Sequence, residues 1–224
     1  NENGPVISFK GIDNTIYYLI DDDGNYLDFT GCGNSFNCNH PIVSKFIIDC
    51  LRYWVTVMHI DGFRFDEASV LSRGEDGEPM KYPPILWAIE LSEFLVDTKV
   101  IAEAWDAGGL YQVGYFPGYR WAEWNGKFRD EVRRFVIGEA GIIKNVAFKI
   151  IGSEDLYKPS ERLPINSINF ITAHDGFTMN DLVSYNDKHN MDNGEDGKDG
   201  ANQNFSWNCG EEGPSQDLEI EQLR

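Results

Sequence analysis

Short apolar runs alternate with amphipathic stretches along the middle of this chain, and this alternation constrains the fold more than any other feature. From Pro41 onward, apolar residues recur at helical spacing for about four turns, with Asn39 as the predicted N-cap. The predicted order from there is helix, strand, helix, strand, strand, helix, strand. Such an order is typical of parallel strands joined by helical crossovers, and the strands are apolar nearly throughout, as expected when both faces are covered.

The four predicted strands are VMHIDGFRF, TKVIAEAWD, WAEWN and NSINFITAHD, and the later helices lie near 85–96 and in GKFRDEVRRFVIG. No glycine-rich phosphate fingerprint follows any strand, which argues against a dinucleotide-binding sheet. The pattern therefore predicts an α/β chain that forms part of a (β/α)8 TIM barrel. In such a barrel the active site lies at the carboxyl ends of the strands.

Three sections with different composition flank or carry this pattern. Residues 1–40 predict a loop-rich lead-in around a short hairpin, with DDDGNY as its turn. Residues 41–185 carry the βα units, and residues 186–224 predict an acidic, Gly- and Asn-rich loop and tail. No apolar run reaches the roughly 18–20 residues of a membrane span, and no signal peptide is recognised.

The charge balance restricts the partners that this chain can bind. Its 224 residues include 19 basic and 37 acidic side chains, for a net charge of −18. That sign argues against nucleic acid and anionic membranes, and it leaves a neutral substrate such as carbohydrate. The spacing of Cys32 and Cys38 fits no common zinc module, so we expect unpaired thiols, no metal and no cofactor.

Three of the predicted strands end in a carboxylic acid: Asp66, Glu103 and Asp175. About one βα unit separates the first two and about two units separate the last two, so the acids are expected to converge on one rim. Like charges held together raise the pKa of one member, as a general acid near neutrality requires. Two carboxyl groups flanking a glycosidic bond are the usual equipment for glycoside hydrolysis.

Each acid has a polar companion. Arg64 lies on the same strand face as Asp66 and is expected to keep it ionised. His174 precedes Asp175, and both reach the site only where the backbone turns at the strand end. An Arg-x-Asp at a strand end is by itself more often a structural ion pair, but acids at three successive barrel positions favour catalysis.

Those residues also carry a family resemblance. DGFRFDEAS, VIAEAWD and NFITAHDGFT resemble three signature regions of the α-amylase superfamily of glycoside hydrolases. GCGNSFNCNHP, AEAWDAGGLYQVGYFP and HDGFTMNDLVSYNDKHN are similar to the isoamylase-type debranching enzymes of starch and glycogen metabolism. The resemblance covers nearly the whole chain and its motifs are highly specific.

The resemblance implies hydrolysis of α-1,6 branch points in glycogen, amylopectin or limit dextrins, with retention of anomeric configuration. By matching motif, Asp66 is the nucleophile, Glu103 the general acid and Asp175 the stabiliser of the oxocarbenium-like transition state. Arg64 and His174 match positions that orient the nucleophile and hold the sugar. Trp105 either lines an adjacent subsite or simply packs at the strand end.

Two departures from the family pattern stand out. The residue after the nucleophile is usually apolar, and here it is Glu67, which on an extended strand would point away from Asp66. The first signature region would precede Asn1, and the eighth strand would follow Arg224. The resemblance thus implies that residues 1–224 form the central part of a catalytic barrel, roughly strands 4 to 7, and that the isolated chain is poorly stable and weakly active.

Two rival functions remain open. A non-catalytic glucan-binding or regulatory subunit would keep the fold but lose the acids, whereas this chain keeps all three. A transglycosylase such as a branching enzyme would share the same three acids, although the text around SWNCG favours hydrolysis. The expected compartment is intracellular, either bacterial cytoplasm or plastid stroma, and the oligomeric state is left undetermined.

Overall fold

The computed structural model describes residues 4–224 and divides into two compact units. The first unit comprises the chain up to Trp124 together with Leu156–Asn166. The second comprises Asn125–Asp155 together with Ser167–Arg224. Each unit is described by itself. None of the helices in this part of the chain is long and apolar enough to cross a lipid bilayer.

Three parallel strands form the sheet of the first unit. They are β1 (Gly62–Phe65), β2 (Lys99–Ala102) and β3 (Ala122–Trp124). Strand β2 lies between the other two, with Gly62 opposite Lys99 and Ile101 opposite Ala122. The helices of this unit are α1 (Ser8–Tyr17), α2 (Pro41–Thr56) and α3 (Pro84–Glu90), with short 3₁₀ turns at Ala68–Ser72 and Glu93–Leu95. The predicted parallel α/β arrangement is confirmed.

The second unit is built mainly from short helices. They are α4 (Gly126–Val136), α5 (Ile143–Ile150), α6 (Glu154–Tyr157, where the chain returns to the first unit), α7 (Met179–Ser184) and α8 (Leu218–Leu223). The side-chain oxygen of Asn125 caps α4 by accepting from the backbone amide of Phe128 at 2.9 Å. The backbone amide of Asn125 donates to the carbonyl of Ile168 at 3.0 Å. Ile168 belongs to the short strand β4 (Ser167–Ile168).

Strand β4 is much shorter than the predicted strand NSINFITAHD. Beyond Ile168, the carbonyl of Ile171 accepts from the buried guanidinium of Arg133, with Nε at 2.9 Å, rather than from a neighbouring strand. A side chain has therefore replaced ladder partners there, and Asp175 lies in a loop well past the strand end.

The helix predicted from Pro41 is present, but the predicted cap is wrong. His40 caps α2, because its side chain accepts from the backbone amide two residues on. Asn39 instead donates to the carbonyls of Leu71 and Arg73, at 2.9 and 2.8 Å, and accepts from the amide of Ile85 at 3.1 Å. This one amide joins the loop after β1 to the start of α3, so long-range bonds have overridden its local capping preference.

The lead-in differs from its prediction in one respect. The turn in DDDGNY is confirmed, because Ile20 and Tyr26 form an antiparallel bridge and the Asp21 carboxylate accepts from the amide of Asn25 at 2.8 Å. Helix α1 was not predicted. It is kinked at Asp13, whose φ of −159° and ψ of 99° are not helical, and this interruption hides the helical period in the sequence.

Apolar side chains from α2, α3, β2 and the segment before β3 form the core of the first unit. They include Leu51, Ile85, Leu86, Ile89, Val100, Ala102, Phe116 and Trp121. The Trp121 ring lies 5.0 Å from that of Phe65 and 5.1 Å from that of Phe116, both in edge-on geometry. Such contacts bury large apolar area and hold the strands at fixed positions.

Two buried ion pairs fix the loops around this core. Glu123 of β3 pairs with Arg162 at 2.9 Å, and burial raises the pKa of Glu123 to about 7 despite that partner. Arg73 contacts Asp106 through Nε at 2.7 Å and Nη2 at 3.1 Å. The Arg73 guanidinium also lies 3.7 Å from the ring centre of Phe29, so the lead-in is attached to the same pair.

We expect Asp106→Asn to destabilise the chain by about 3–5 kcal/mol, because it leaves the buried charge of Arg73 without its partner. The matched control is Asp49→Asn in the exposed pair with Lys45, whose side chains are 55% and 73% exposed. Solvent screens that pair, so its loss should cost less than about 1 kcal/mol. Urea unfolding followed by tryptophan fluorescence measures both, and equal costs would contradict a special role for the buried pair.

Candidate active site

Two of the three predicted catalytic acids lie side by side in the first unit. Asp66 directly follows β1 and Glu103 directly follows β2. These strands are parallel neighbours in which Phe65 pairs with Ala102, so both acids leave the sheet at the same edge. That edge is the carboxyl end of the strands, where barrel enzymes place their chemistry.

Arg64 connects the two acids. Its Nη1 atom donates to Oδ1 of Asp66, and its Nη2 atom lies 3.0 Å from Oε1 of Glu103. The guanidinium also packs over the ring of Trp124, 4.2 Å from its centre. The sequence interpretation missed Trp124, although the alternation in WAEWN places it on the strand face opposite to Glu123. One planar cation therefore holds both carboxyl groups close together.

The two acids differ sharply in their surroundings. The side chain of Asp66 is 73% exposed, whereas that of Glu103 is 5% exposed. Burial raises the pKa of Glu103, and the neighbouring charge of Asp66 raises it further. The amide of Glu67 and the guanidinium of Arg64 oppose this rise without cancelling it. Such an arrangement favours a protonated Glu103 beside the exposed carboxyl group of Asp66.

Glu67 does not have the extended backbone on which its predicted orientation rested. Its φ of 41° and ψ of 46° are left-handed, so the chain turns sharply immediately after Asp66. The Glu67 amide donates to Oε2 of Glu103 at 2.7 Å, and the Ala68 amide donates to the Glu103 carbonyl at 2.8 Å. Burial, followed by the charges of Glu103, Asp66 and Asp106, raises the pKa of Glu67 to about 7.

A cavity with a volume of about 370 Å³ opens beside Asp66 and Glu67. The lead-in and the loop after β1 line it with Thr30, Cys32, Asn34, Phe36, Cys38, Phe65, Val70 and Leu71. Apolar walls with a few polar groups at one end are typical of small-molecule sites. A ligand in this cavity would contact two acidic side chains, the exposed Asp66 and Glu67.

Trp105 lies two residues after Glu103 and pairs with a second aromatic side chain. Its ring stacks on that of Tyr111 at a centroid distance of 5.9 Å and an interplanar angle of 8°. Trp105 is half-buried against the core, and Tyr111 is 44% exposed. The packing of Trp105 at the strand end is therefore present, and its role in a neighbouring subsite stays a prediction.

Asp175 and His174 belong to the second unit, and both side chains are exposed in the loop that precedes α7. Asp175 lines a cavity with a volume of about 520 Å³, and its other walls include Tyr185, Lys188 and His189. The ring of Tyr185 packs at 5.1 Å from that of His189. The second unit thus offers a polar cavity with aromatic walls next to the third predicted acid.

All four cysteines lie in the described part of the chain and are unpaired. Cys32 is exposed, Cys38 and Cys209 are buried, and burial raises the pKa of Cys38 to about 12. Within residues 4–224, no group of three or more His, Cys, Asp or Glu side chains is placed to hold a metal ion.

Comparison with known proteins agrees with these features. No model of a protein family matches the sequence. Isoamylase 1, chloroplastic, of Oryza sativa subsp. japonica is 52% identical over 244 aligned residues, which cover 100% of this chain and 30% of the relative. A glycogen operon protein GlgX homolog of Mycobacterium tuberculosis is 53% identical over 227 residues, covering 100% of this chain and 31% of the relative.

Among solved structures, the pullulanase from Bacillus acidopullulyticus superposes with a TM-score of 0.58 at 27% identity. The superposition covers 72% of this chain and 21% of the pullulanase. The chain spans about 30% of the length of the curated relatives it matches. Its α/β architecture is that of part of a (β/α) barrel, as in these neighbours. Over its whole length, the chain is similar to a segment of the isoamylase-type debranching enzymes of the α-amylase superfamily.

Proposed function

We propose that this chain carries catalytic acids of a glycoside hydrolase that cleaves α-1,6 branch linkages in glycogen, amylopectin or limit dextrins. The observation that carries the proposal is the pair formed by the exposed Asp66 and the buried Glu103 on one guanidinium, Arg64. Two carboxyl groups with different environments supply the nucleophile and the acid that this reaction needs. The names of the relatives, isoamylase and GlgX homolog, support the same substrate class.

The first chemical step uses both acids. A carboxylate oxygen of Asp66 attacks the anomeric carbon, and the bond from that carbon to the branch oxygen breaks. Glu103 gives its proton to the departing oxygen, which leaves as the 6-hydroxyl of the main chain. The product is a covalent glycosyl-enzyme ester on Asp66, and Glu103 is left as a carboxylate.

The second step reverses the roles. Glu103, now ionised, removes a proton from water as the water oxygen attacks the anomeric carbon. The ester bond to Asp66 breaks, Asp66 returns to its ionised state, and Glu103 is protonated again. Two inversions give retention of configuration. The direct contact between the side chains of Asp66 and Glu103 supports this route, because inverting enzymes need a wider separation to admit a water molecule.

The remaining predicted residues have supporting roles in the proposal. Asp175 contacts hydroxyl groups of the sugar and so stabilises the positive charge that develops on the sugar ring. His174 holds the sugar in the cleaving subsite. Arg64 orients Asp66 through its contact with the carboxyl group. Trp105, stacked on Tyr111, provides an aromatic surface for a neighbouring sugar. The branched α-glucan is the only partner that the mechanism requires. The proposed steps use no metal and no cofactor.

Of the two rival functions, the regulatory subunit has less support. A regulatory subunit has no use for a buried acid with a raised pKa beside an exposed carboxylate. A branching enzyme would use the same first step but pass the glycosyl group to a sugar hydroxyl instead of water. The acid pair does not distinguish transfer to water from transfer to a sugar hydroxyl, so analysis of the products has to distinguish them.

We expect Glu103→Gln to lower kcat/KM on branched glucan by about 10²–10⁴-fold, the usual contribution of a general acid. The same variant should form the glycosyl-enzyme from an α-maltosyl fluoride almost normally, because fluoride leaves without protonation. Asp66→Asn should lose both reactions, since it removes the nucleophile. Rates are measured on the purified protein.

The matched control is Glu75→Gln, an exposed glutamate of the first unit, which should leave both reactions unchanged. Undiminished hydrolysis of branched glucan by Glu103→Gln would remove Glu103 as the acid. Equal losses on glucan and on the fluoride would show that the substitution harms the fold and not proton transfer.

We expect the first product released from branched glucan to be a linear chain with an α-anomeric end, which later mutarotates. Proton NMR of the anomeric region during the first minutes measures the configuration, and chain-length analysis measures the products. An initial β-anomer would contradict the double-displacement route. New branches in place of released linear chains would assign the protein to the transglycosylases.

A further inference from the structure

Glu67 is a titratable residue at the acid pair that the proposed mechanism does not use. Its amide donates to the side chain of Glu103 at 2.7 Å, while the next amide, of Ala68, donates to the Glu103 carbonyl at 2.8 Å. Two successive amides therefore hold the acid at both its side chain and its backbone. The left-handed turn at Glu67 is what aims both amides at Glu103.

On this geometry, and resting on the proposed function, we propose that Glu67 is a positioning residue that sets both the orientation and the proton occupancy of Glu103. Its backbone amide orients the acid. Its carboxyl group, when ionised, keeps the catalytic proton on Glu103 by like-charge repulsion.

The groups that face the Glu67 carboxyl are mostly acids. Glu103 follows β2, Asp66 follows β1, and Asp106 lies in the loop beyond Glu103. The amide of Ala107, in the same loop, opposes the rise in the pKa of Glu67. Its own hydrogen bond goes to the carbonyl of Phe29 at 3.0 Å. The thiols that line the adjoining cavity come from the lead-in, and burial keeps one of them, Cys38, protonated.

The cations in this region do not balance these charges. Arg73 is occupied by Asp106, with which it forms two contacts in the core. Arg64 is shared between Asp66 and Glu103. Three carboxyl groups (Asp66, Glu103 and Glu67) therefore have one cation between them. Full ionisation would leave two net negative charges in a partly dry space, so the cluster retains a proton toward neutral pH.

The repulsion between Glu67 and Glu103 is reciprocal, so the two carboxyl groups release their protons in coupled steps. Both pKa values are raised, that of Glu67 to about 7, with burial as the largest cause and the neighbouring acids next. Removing the Glu67 charge should lower the pKa of Glu103, which then loses its proton at lower pH. At acid pH Glu67 is itself protonated, so its removal changes nothing there.

The first test measures the carboxyl groups directly and needs no activity. NMR of the chain with isotope-labelled glutamate follows the titration of Glu67 and Glu103 in the wild type, Glu67→Gln and Glu103→Gln. We expect Glu67 to titrate near pH 7 in the wild type and nearer its ordinary value of about 4.5 in Glu103→Gln. Glutamine keeps an oxygen that can accept the amide of Glu67, so the turn is preserved.

The second test measures catalysis in the purified protein. In Glu67→Gln, the alkaline limb of the kcat/KM profile on branched glucan should move to lower pH by roughly half to one pH unit. The acid limb should stay where it is. Glu67→Gly serves as a second variant, because glycine adopts the left-handed backbone without strain while removing the carboxyl group. Glu75→Gln is the control and should move neither limb.

The outcomes separate this proposal from the proposed function. If Glu67→Gln and Glu67→Gly leave the alkaline limb in place while Glu103→Gln abolishes activity, the role of Glu67 is refuted and the acid pair stands. A wild-type Glu67 that titrates near 4.5 refutes it equally. Activity that survives Glu103→Gln overturns the function itself, whatever Glu67 does.

Discussion

The contact of one guanidinium with two unlike carboxyl groups is the interaction on which the candidate site depends. Arg64 reaches Asp66 and Glu103 because β1 and β2 are parallel neighbours in register. The same cation would serve two exposed acids only as a weak surface pair. Here one acid is exposed and the other is buried, so the shared cation joins two carboxyl groups in unlike surroundings. Sheet register, burial and charge thus combine to place two carboxyl groups with unlike surroundings on one cation.

Much of this arrangement could be predicted from the sequence. The strands that carry Arg64, Asp66 and Glu103 are apolar runs between helical patterns, and the two-residue period places Arg64 with Asp66. Helix α2 and the DDDGNY turn were also recognisable, because their signals are local and strong. Family motifs then suggested residue roles that periodicity alone could not provide.

The features that escaped prediction depend on long-range contacts or on a single backbone conformation. Asn39 has the composition of a helix cap but bonds to residues on two other segments. The last strand was predicted too long, because Arg133 takes the carbonyl of Ile171. Glu67 was placed on an extended strand, whereas its left-handed φ turns it toward Glu103. None of these choices is encoded by the residues nearest in the chain.

The cavity beside Asp66 has a thiol on its wall, and this gives the chain a built-in attachment point. Cys32 is exposed there, while Cys38, which lines the same space, is buried. A thiol reagent would reach Cys32 first, since the buried thiol is both inaccessible and protonated. The extent to which a disulfide-forming probe labels Cys32, measured by mass spectrometry, therefore reports whether the cavity next to Asp66 is occupied.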